Sequence, residues 1–299
     1  MSVATIARPA RLLTQQVAPV TRRQAQLTRQ FLAPLGGELE RYMLELRAEA
    51  DQALSHISAY PLGLCTEIST EVYHLLVRRL RRPSDEVERM LLAFIRRGGI
   101  VRHVWGALRE RYFQNAFQFG ALYVDVSNDT VVTSKPKVEI LPLADSGLRA
   151  VLDLDHFARI AQAYWDMPLY ANHALPELAP LFPMVGCGAG QFGLCPACDY
   201  MIDLIISSGF AASRAWLASA PPVPPELARE CLRGTAAAAH MVSGDGGRAA
   251  LAACDAAAML DARALPAWRA ARVSDFKTLL APAHVAAEPS TKYTRTGGI

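Results

Sequence analysis

The stretch of sequence that decides the fold is GGIVRHVWGALRERYFQNAFQFGALYVDVSND, residues 98–129. Two glycines end a helical pattern, and β-branched and aromatic residues, which favour strands, then dominate residues 100–108 and 121–126. Turn-forming residues follow, and two further short strands are predicted at 130–133 and 137–141. The stretch therefore predicts a small antiparallel meander.

Helical patterns lie on both sides of this meander. Before it, apolar residues recur every three or four positions, which predicts helices at 38–57, 65–80 and 84–96. After it, alanine-rich segments predict helices at 154–165, 198–208, 211–219, 225–241 and 247–262. Helices followed by an antiparallel meander and further helices are typical of the α+β class.

Composition excludes several classes of protein. The chain has 299 residues, 52% of them apolar, which is enough for a substantial core. Six cysteines are too few for a disulfide scaffold, and no secretory signal or apolar run long enough to span a membrane is found. The net charge of +3 gives no reason to expect a nucleic-acid partner. We therefore expect a soluble cytoplasmic protein of undetermined oligomeric state.

Charge and composition also divide the chain. Residues 1–37 contain five arginines and no acidic residue, which predicts a disordered basic leader, although a targeting sequence has the same composition. The remainder is divided into a catalytic core at 38–145, a helical subdomain at 146–285 and a flexible tail at 286–299.

Cys65 is the candidate nucleophile. It follows Pro61-Leu62-Gly63-Leu64 and opens a predicted helix, where unpaired backbone N–H groups and the helix dipole favour an anion. This placement predicts a lowered thiol pKa, and the same N–H groups could stabilise an oxyanion.

His103 and Asp125 are the candidate base and its orienting group. They lie on successive predicted strands, so imidazole and carboxylate could touch if their faces coincide. The polar and aromatic segment between those strands, residues 109–120, is predicted to be a substrate-binding loop or a poorly aligned strand. The candidate substrate-binding residues are Trp105, Gln114, Asn115 and Asn128, the last of which could instead orient His103.

These motifs resemble the transglutaminase-like branch of the papain-type cysteine enzymes. The similar features are Gly63-Leu64-Cys65 at a helix start, His103-Val104-Trp105, and Asp125 at the end of an apolar strand. The resemblance implies a papain-like core with helices packed on a small antiparallel sheet, in which Cys65, His103 and Asp125 form a triad. It further implies acyl transfer, or hydrolysis of an amide or thioester, without a cofactor. The residues after Asp125 depart from the family pattern.

Two alternatives stay open. One is a non-enzymatic, mostly helical interaction protein in which Cys65 is a core thiol. The other is a metal-dependent enzyme that uses histidines and carboxylates of the middle region. Selective labelling of Cys65 would support the thiol enzyme, its inertness would support the interaction protein, and a bound metal would support the metal-dependent enzyme.

The remaining cysteines and acidic residues suggest no firm metal site. Cys187, Cys195 and Cys198 could bind zinc with His173, but one CxxC pair is a weak signal and packed thiols are favoured. Asp153, Asp155 and His156 are explained more simply by the first turn of a helix. No residue is therefore assigned to a metal.

Overall fold

The computed structural model describes residues 15–188, 191–242 and 244–280. Helices and antiparallel sheets alternate in blocks along the chain, which confirms the α+β class. None of the described helices is both long and apolar enough to cross a membrane.

The described part of the N-terminal segment, residues 15–37, is mostly helical. Helix α1 spans Arg22–Leu27 and continues through a π-helical turn, Thr28–Leu32, and a 3-10 turn, Ala33–Leu35. Leucines of all three pieces are buried in one apolar cluster, so the prediction of a disordered leader over residues 1–37 is wrong for this part. The charge composition of this segment does not report the spacing of its leucines, which is what places it in the core. Residues 1–14 and the predicted tail at 286–299 lie outside the described residues.

Three helices then precede the sheet, close to where the sequence predicts them. They are α2 (Gly37–Leu54), α3 (Cys65–Leu80) and α4 (Glu86–Arg96). The side chain of Asp85 caps α4 by accepting a hydrogen bond from the backbone N–H of Glu88. The apolar faces of the three helices pack together and against the sheet.

The main sheet has five strands in the order β4-β3-β2-β1-β5. These strands are β1 (Val101–Leu108), β2 (Tyr112–Phe119), β3 (Leu122–Asp125), β4 (Glu139–Pro142) and β5 (Leu148–Arg149). Residues 109–120, predicted to be a substrate-binding loop or a poorly aligned strand, are mostly the central strand β2. The strand predicted at 130–133 is a turn, because Thr130 hydrogen-bonds back to Ser127 and the following valines are exposed.

The second half of the chain holds a smaller sheet that the sequence did not predict. After α5 (Leu143–Ser146) and α6 (Leu154–Trp165), the strands β6 (Leu169–Ala171), β7 (Met184–Gly188) and β8 (Gln191–Cys195) pair antiparallel in that order. The helices that follow are α7 (Asp199–Ser207), α8 (Ala211–Ser219), α9 (Pro225–Cys231), a 3-10 turn (Ala236–His240), α10 (Gly246–Ala258) and α11 (Ala264–Leu280). The single helix predicted at 225–241 is broken at Gly234, whose φ is +83°.

One face of the main sheet joins the two halves of the protein. Its Phe117 end packs on the N-terminal helices, and its Trp105 end packs on the second half. The ring of Trp105 stacks on that of Phe113, with centroids 5.0 Å apart, and lies 5.6 Å from that of Tyr200. The boundary predicted at residue 145 therefore does not separate two independent cores.

A buried arginine ties α2 to the loop after β3. The Arg47 side chain has no exposed surface and binds Asp51 and Asp129 through Nε and Nη1 at 2.5 and 2.7 Å. Its Nη1 also donates to the carbonyl of Val126 at 2.6 Å. A charge buried this completely depends on its partners, because removing one leaves it only partly compensated in a medium of low dielectric constant.

We predict that Asp129→Ala lowers the free energy of unfolding by about 3 kcal/mol, since Arg47 would lose the more deeply buried of its two carboxylate partners. The matched control is Asp255→Ala, which removes the partner of Arg214 at 2.6 Å in a pair whose side chains are 50% and 61% exposed. The control should cost under about 1 kcal/mol. Urea unfolding measures both, and equal losses would contradict the role given to Arg47.

Candidate active site

Cys65 is the first residue of α3, as the sequence predicts. The turn before it depends on Gly63, whose φ of +73° favours glycine and whose N–H donates to the carbonyl of Thr130 at 2.9 Å. This hydrogen bond attaches the start of the helix to the loop after β3. The thiol therefore sits at the positive end of a 16-residue helix.

Asn115 is the polar side chain that reaches the sulfur. Its Nδ2 lies 3.6 Å from Cys65 Sγ and 2.9 Å from Thr66 Oγ1, and the residue is almost fully buried. Asn115 belongs to β2, where it is paired with Trp105 of β1. Its neighbours on the same face, Phe113 and Phe117, belong to two different apolar clusters. The amide and the thiol thus meet at the seam between the two halves of the protein.

Burial, and not the helix dipole, dominates the acidity of the thiol. Loss of solvent around Cys65 raises its pKa, while the hydrogen bonds from Asn115 lower it by a smaller amount. The expectation of a lowered pKa is therefore wrong for the free protein. At neutral pH the residue is a thiol and not a thiolate.

His103 lies on β1, on the same sheet face as Asn115. Its Nε2 is 3.0 Å from Ser69 Oγ, and Ser69 is one helical turn after Cys65 on α3. The Ser69 hydroxyl donates to the carbonyl of Thr66 at 3.2 Å, so it accepts from Nε2 and leaves Nδ1 of the ring as the acceptor. Burial lowers the pKa of His103 to about 4, and His74 adds to this effect. The ring is consequently neutral at pH 7.

Asp125 points to the opposite face of the sheet from His103. His103 is paired with Phe117 and Phe117 with Val124, so the next residue along β3 faces away. The predicted contact between imidazole and carboxylate is therefore absent, because β2 separates the two strands and the faces do not coincide.

The carboxylate of Asp125 is instead satisfied on its own side of the sheet. It accepts from Gln114 Nε2 at 2.6 Å, from the Tyr123 hydroxyl at 2.7 Å and from the backbone N–H of Ser127 at 2.8 Å. Burial nevertheless raises its pKa above the ordinary range. Ser127 Oγ also lies 3.3 Å from the backbone carbonyl of Asn115, so this network supports the strand that carries the amide.

The other candidate substrate-binding residues do not reach the thiol. Trp105 is part of the apolar core, and Gln114 binds Asp125. Asn128 closes a turn by donating from Nδ2 to the carbonyl of Pro136 at 2.9 Å, so it does not orient His103. Sequence reasoning did not identify Ser69 and Thr66 as site residues. The four-residue spacing from Cys65 to Ser69 is the signal that could have found Ser69, because it places these two residues on one helix face.

The suggested metal ligands have other partners. Asp153 caps α6, while His156 lies 3.0 Å from Glu110. His173 Nε2 is 2.9 Å from the carbonyl of Leu217, and Cys187 contacts Cys231. Within the ranges that the structure covers, no group of three or more His, Cys, Asp or Glu side chains is arranged to hold a metal ion.

Comparison of the chain with protein-family models, with curated proteins and with solved structures gives no match. The resemblance to transglutaminase-like enzymes consequently rests on the residues around Cys65, His103 and Asp125 alone.

Proposed function

We propose that Cys65 is a nucleophile that accepts an acyl group from an amide or thioester. The observation that carries this proposal is the contact between Cys65 Sγ and the Asn115 amide at the start of α3. A helix N-terminus and a fixed amide donor are groups that stabilise negative charge on sulfur and on an attacked carbonyl oxygen. The seam between the two apolar clusters is the kind of place where ligands bind.

Each residue has a defined part in the proposed step. The Cys65 sulfur attacks the carbonyl carbon and forms a C–S bond, while the thiol proton passes to the neutral ring of His103. The oxyanion is held by Asn115 Nδ2 and by backbone N–H groups of α3. Collapse of the intermediate breaks the bond to the leaving amine or thiol, which takes the proton from His103. Water or an amine then releases the acyl group.

Asp125 has a different part in this step from the one it has in the predicted triad. Asn115 is the strand residue that contacts the sulfur, whereas Asp125 acts as a positioning residue through Gln114 and Ser127. Ser69 positions the imidazole. A papain-like core remains part of the proposal, supported by the helix-start cysteine that packs on an antiparallel sheet.

The low pKa of His103 fixes the protonation state in which the step begins. A thiolate–imidazolium pair forms only when the pKa of the histidine is higher than the pKa of the thiol. Burial has the reverse effect here, because it raises the pKa of Cys65 and lowers the pKa of His103. Proton transfer must therefore accompany attack as general-base catalysis. The base is competent above about pH 4.

A second candidate function is a non-enzymatic interaction protein. The observation that favours it is the same burial, since a raised thiol pKa is typical of a packing cysteine. In that case Asn115 would serve only to satisfy Thr66 and the sulfur, and Cys65 would show no reaction beyond that of an ordinary thiol.

We predict that p-nitrophenyl acetate transfers its acetyl group to Cys65 faster than to Cys198, the other partly exposed cysteine, whose sulfur accepts from the backbone N–H of Met201 and not from a side-chain amide. Mass spectrometry of peptides locates the acetyl group. His103→Gln should slow acetylation of Cys65 by about 10²-fold or more, and Asn115→Ala by about 10²-fold. Equal rates at Cys65 and Cys198 would favour the interaction protein.

We further predict that iodoacetamide labels Cys65 slowly at pH 6 and increasingly fast toward pH 10. Alkylation follows the thiolate fraction, and a raised pKa keeps that fraction below the value for an ordinary thiol at every pH in this range. Each pH unit below the pKa of the thiol should therefore raise the rate about tenfold. Urea-unfolded protein provides the control, and rapid labelling of the folded protein at pH 6 would contradict the assignment of a neutral thiol.

A further inference from the structure

Two buried thiols meet in the second half of the protein, far along the chain from Cys65. Cys187 of β7 and Cys231 at the end of α9 have their Sγ atoms 2.8 Å apart. Cys187 has no exposed surface, and Cys231 retains 8%. The bonded distance in a disulfide is about 2.0 Å, so a small adjustment would join the two sulfurs.

We propose that this pair is a site of oxidation, at which a hydroperoxide converts the two thiols into a Cys187–Cys231 disulfide. The sequence gives no sign of it, because the residues are 44 positions apart and neither belongs to a recognisable cysteine motif with the other. The fold alone brings them together, through the packing of α9 on β7.

Among the six cysteines, the sulfur contact is specific to this pair in the described structure. Cys195 is paired with Met184 and Cys187 with Phe192 in the β7–β8 hairpin, so register keeps those two thiols apart. Cys198 precedes α7, and Cys254 is buried in a separate apolar cluster. Cys65 contacts Asn115. In the reduced state Cys187 also points at the carbonyl of Leu227, 3.7 Å away, so α9 supplies both of its polar contacts.

The oxidation balances with one equivalent of hydroperoxide. The sulfur of Cys231, the more exposed of the two, attacks the peroxide oxygen, breaks the O–O bond and becomes a sulfenic acid, releasing water from hydrogen peroxide. The sulfur of Cys187 then attacks the sulfenic sulfur, forms the S–S bond and releases a second water. Two thiols are oxidised by two electrons, and one peroxide is reduced to two waters.

Burial and the neighbouring thiol raise the pKa of Cys187 to about 12. The second step therefore requires loss of a proton from a weakly acidic thiol, and disulfide formation should accelerate as the pH rises from 7 to 9. Because the bond would close a loop that contains β8, α7 and α8, we expect it to raise the melting temperature by about 5–10 °C.

The test is oxidation of the reduced, folded full-length protein with hydrogen peroxide. Remaining thiols are blocked with N-ethylmaleimide in acid-quenched, denatured protein, and the digest is analysed without reduction. We expect a peptide linked through Cys187 and Cys231, formed in the wild type and in the control Cys254→Ser but not in Cys231→Ser. The melting temperature should rise on oxidation in the first two and stay unchanged in the third.

Other outcomes would overturn the proposal. Recovery of Cys187 and Cys231 as maleimide adducts after oxidation would show that the pair is a packing contact. Linkage of either residue to Cys195, Cys198 or Cys254, or its over-oxidation to a sulfinic acid without any linked peptide, would show that the contact does not direct the chemistry. Peroxide treatment of urea-unfolded protein should give disulfides between various cysteines. This control shows whether the fold or the intrinsic reactivity of the thiols determines which cysteines pair.

Discussion

The register of β2 between β1 and β3 is the constraint on which the arrangement of this protein depends. Side chains alternate between the faces of a strand, so one pairing fixes the face of every other residue in the sheet. With His103 opposite Phe117, the amide of Asn115 must share a face with the imidazole, and Asp125 must not. A shift of one residue would exchange these roles and bury Gln114 and Gln118 against the helices. The apolar rings of Phe113, Phe117 and Phe119 make that shift unfavourable.

The sequence predicted what depends on local pattern and missed what depends on pairing. Helices α3 and α4 follow from apolar spacing, and Cys65 was placed correctly at a helix start. The sequence left a loop and a poorly aligned strand equally open for β2, because Gln114, Asn115 and Gln118 interrupt its apolar residues. Those polar residues are buried with partners that only the folded protein supplies, namely Asp125 of β3, Thr66 of α3 and the carbonyl of Ala18. The triad prediction failed at this same step, since the inserted strand separates His103 from Asp125.

Other misses have the same origin. The small sheet of β6, β7 and β8 uses strands of three to five residues, too short to produce a periodic signal. The N-terminal segment was judged by charge, whereas Leu27, Leu32 and Leu35 decide its place in the core. The arginine that does matter, Arg47, looks like any other surface residue of an amphipathic helix until the loop carrying Asp129 is placed beside it.

The thiols illustrate how one residue type takes its chemistry from its surroundings. A helix dipole contributes about 1 kcal/mol or less at most helix starts, which is less than one pKa unit, because a unit corresponds to about 1.4 kcal/mol. Desolvation can exceed that by several units. Position at a helix start is thus too weak an argument for a thiolate once the sulfur is covered. What remains specific to Cys65 is the donor that faces it, and what is specific to Cys187 is a second sulfur. The neighbouring side chain therefore carries more information about a cysteine than the element on which the cysteine lies.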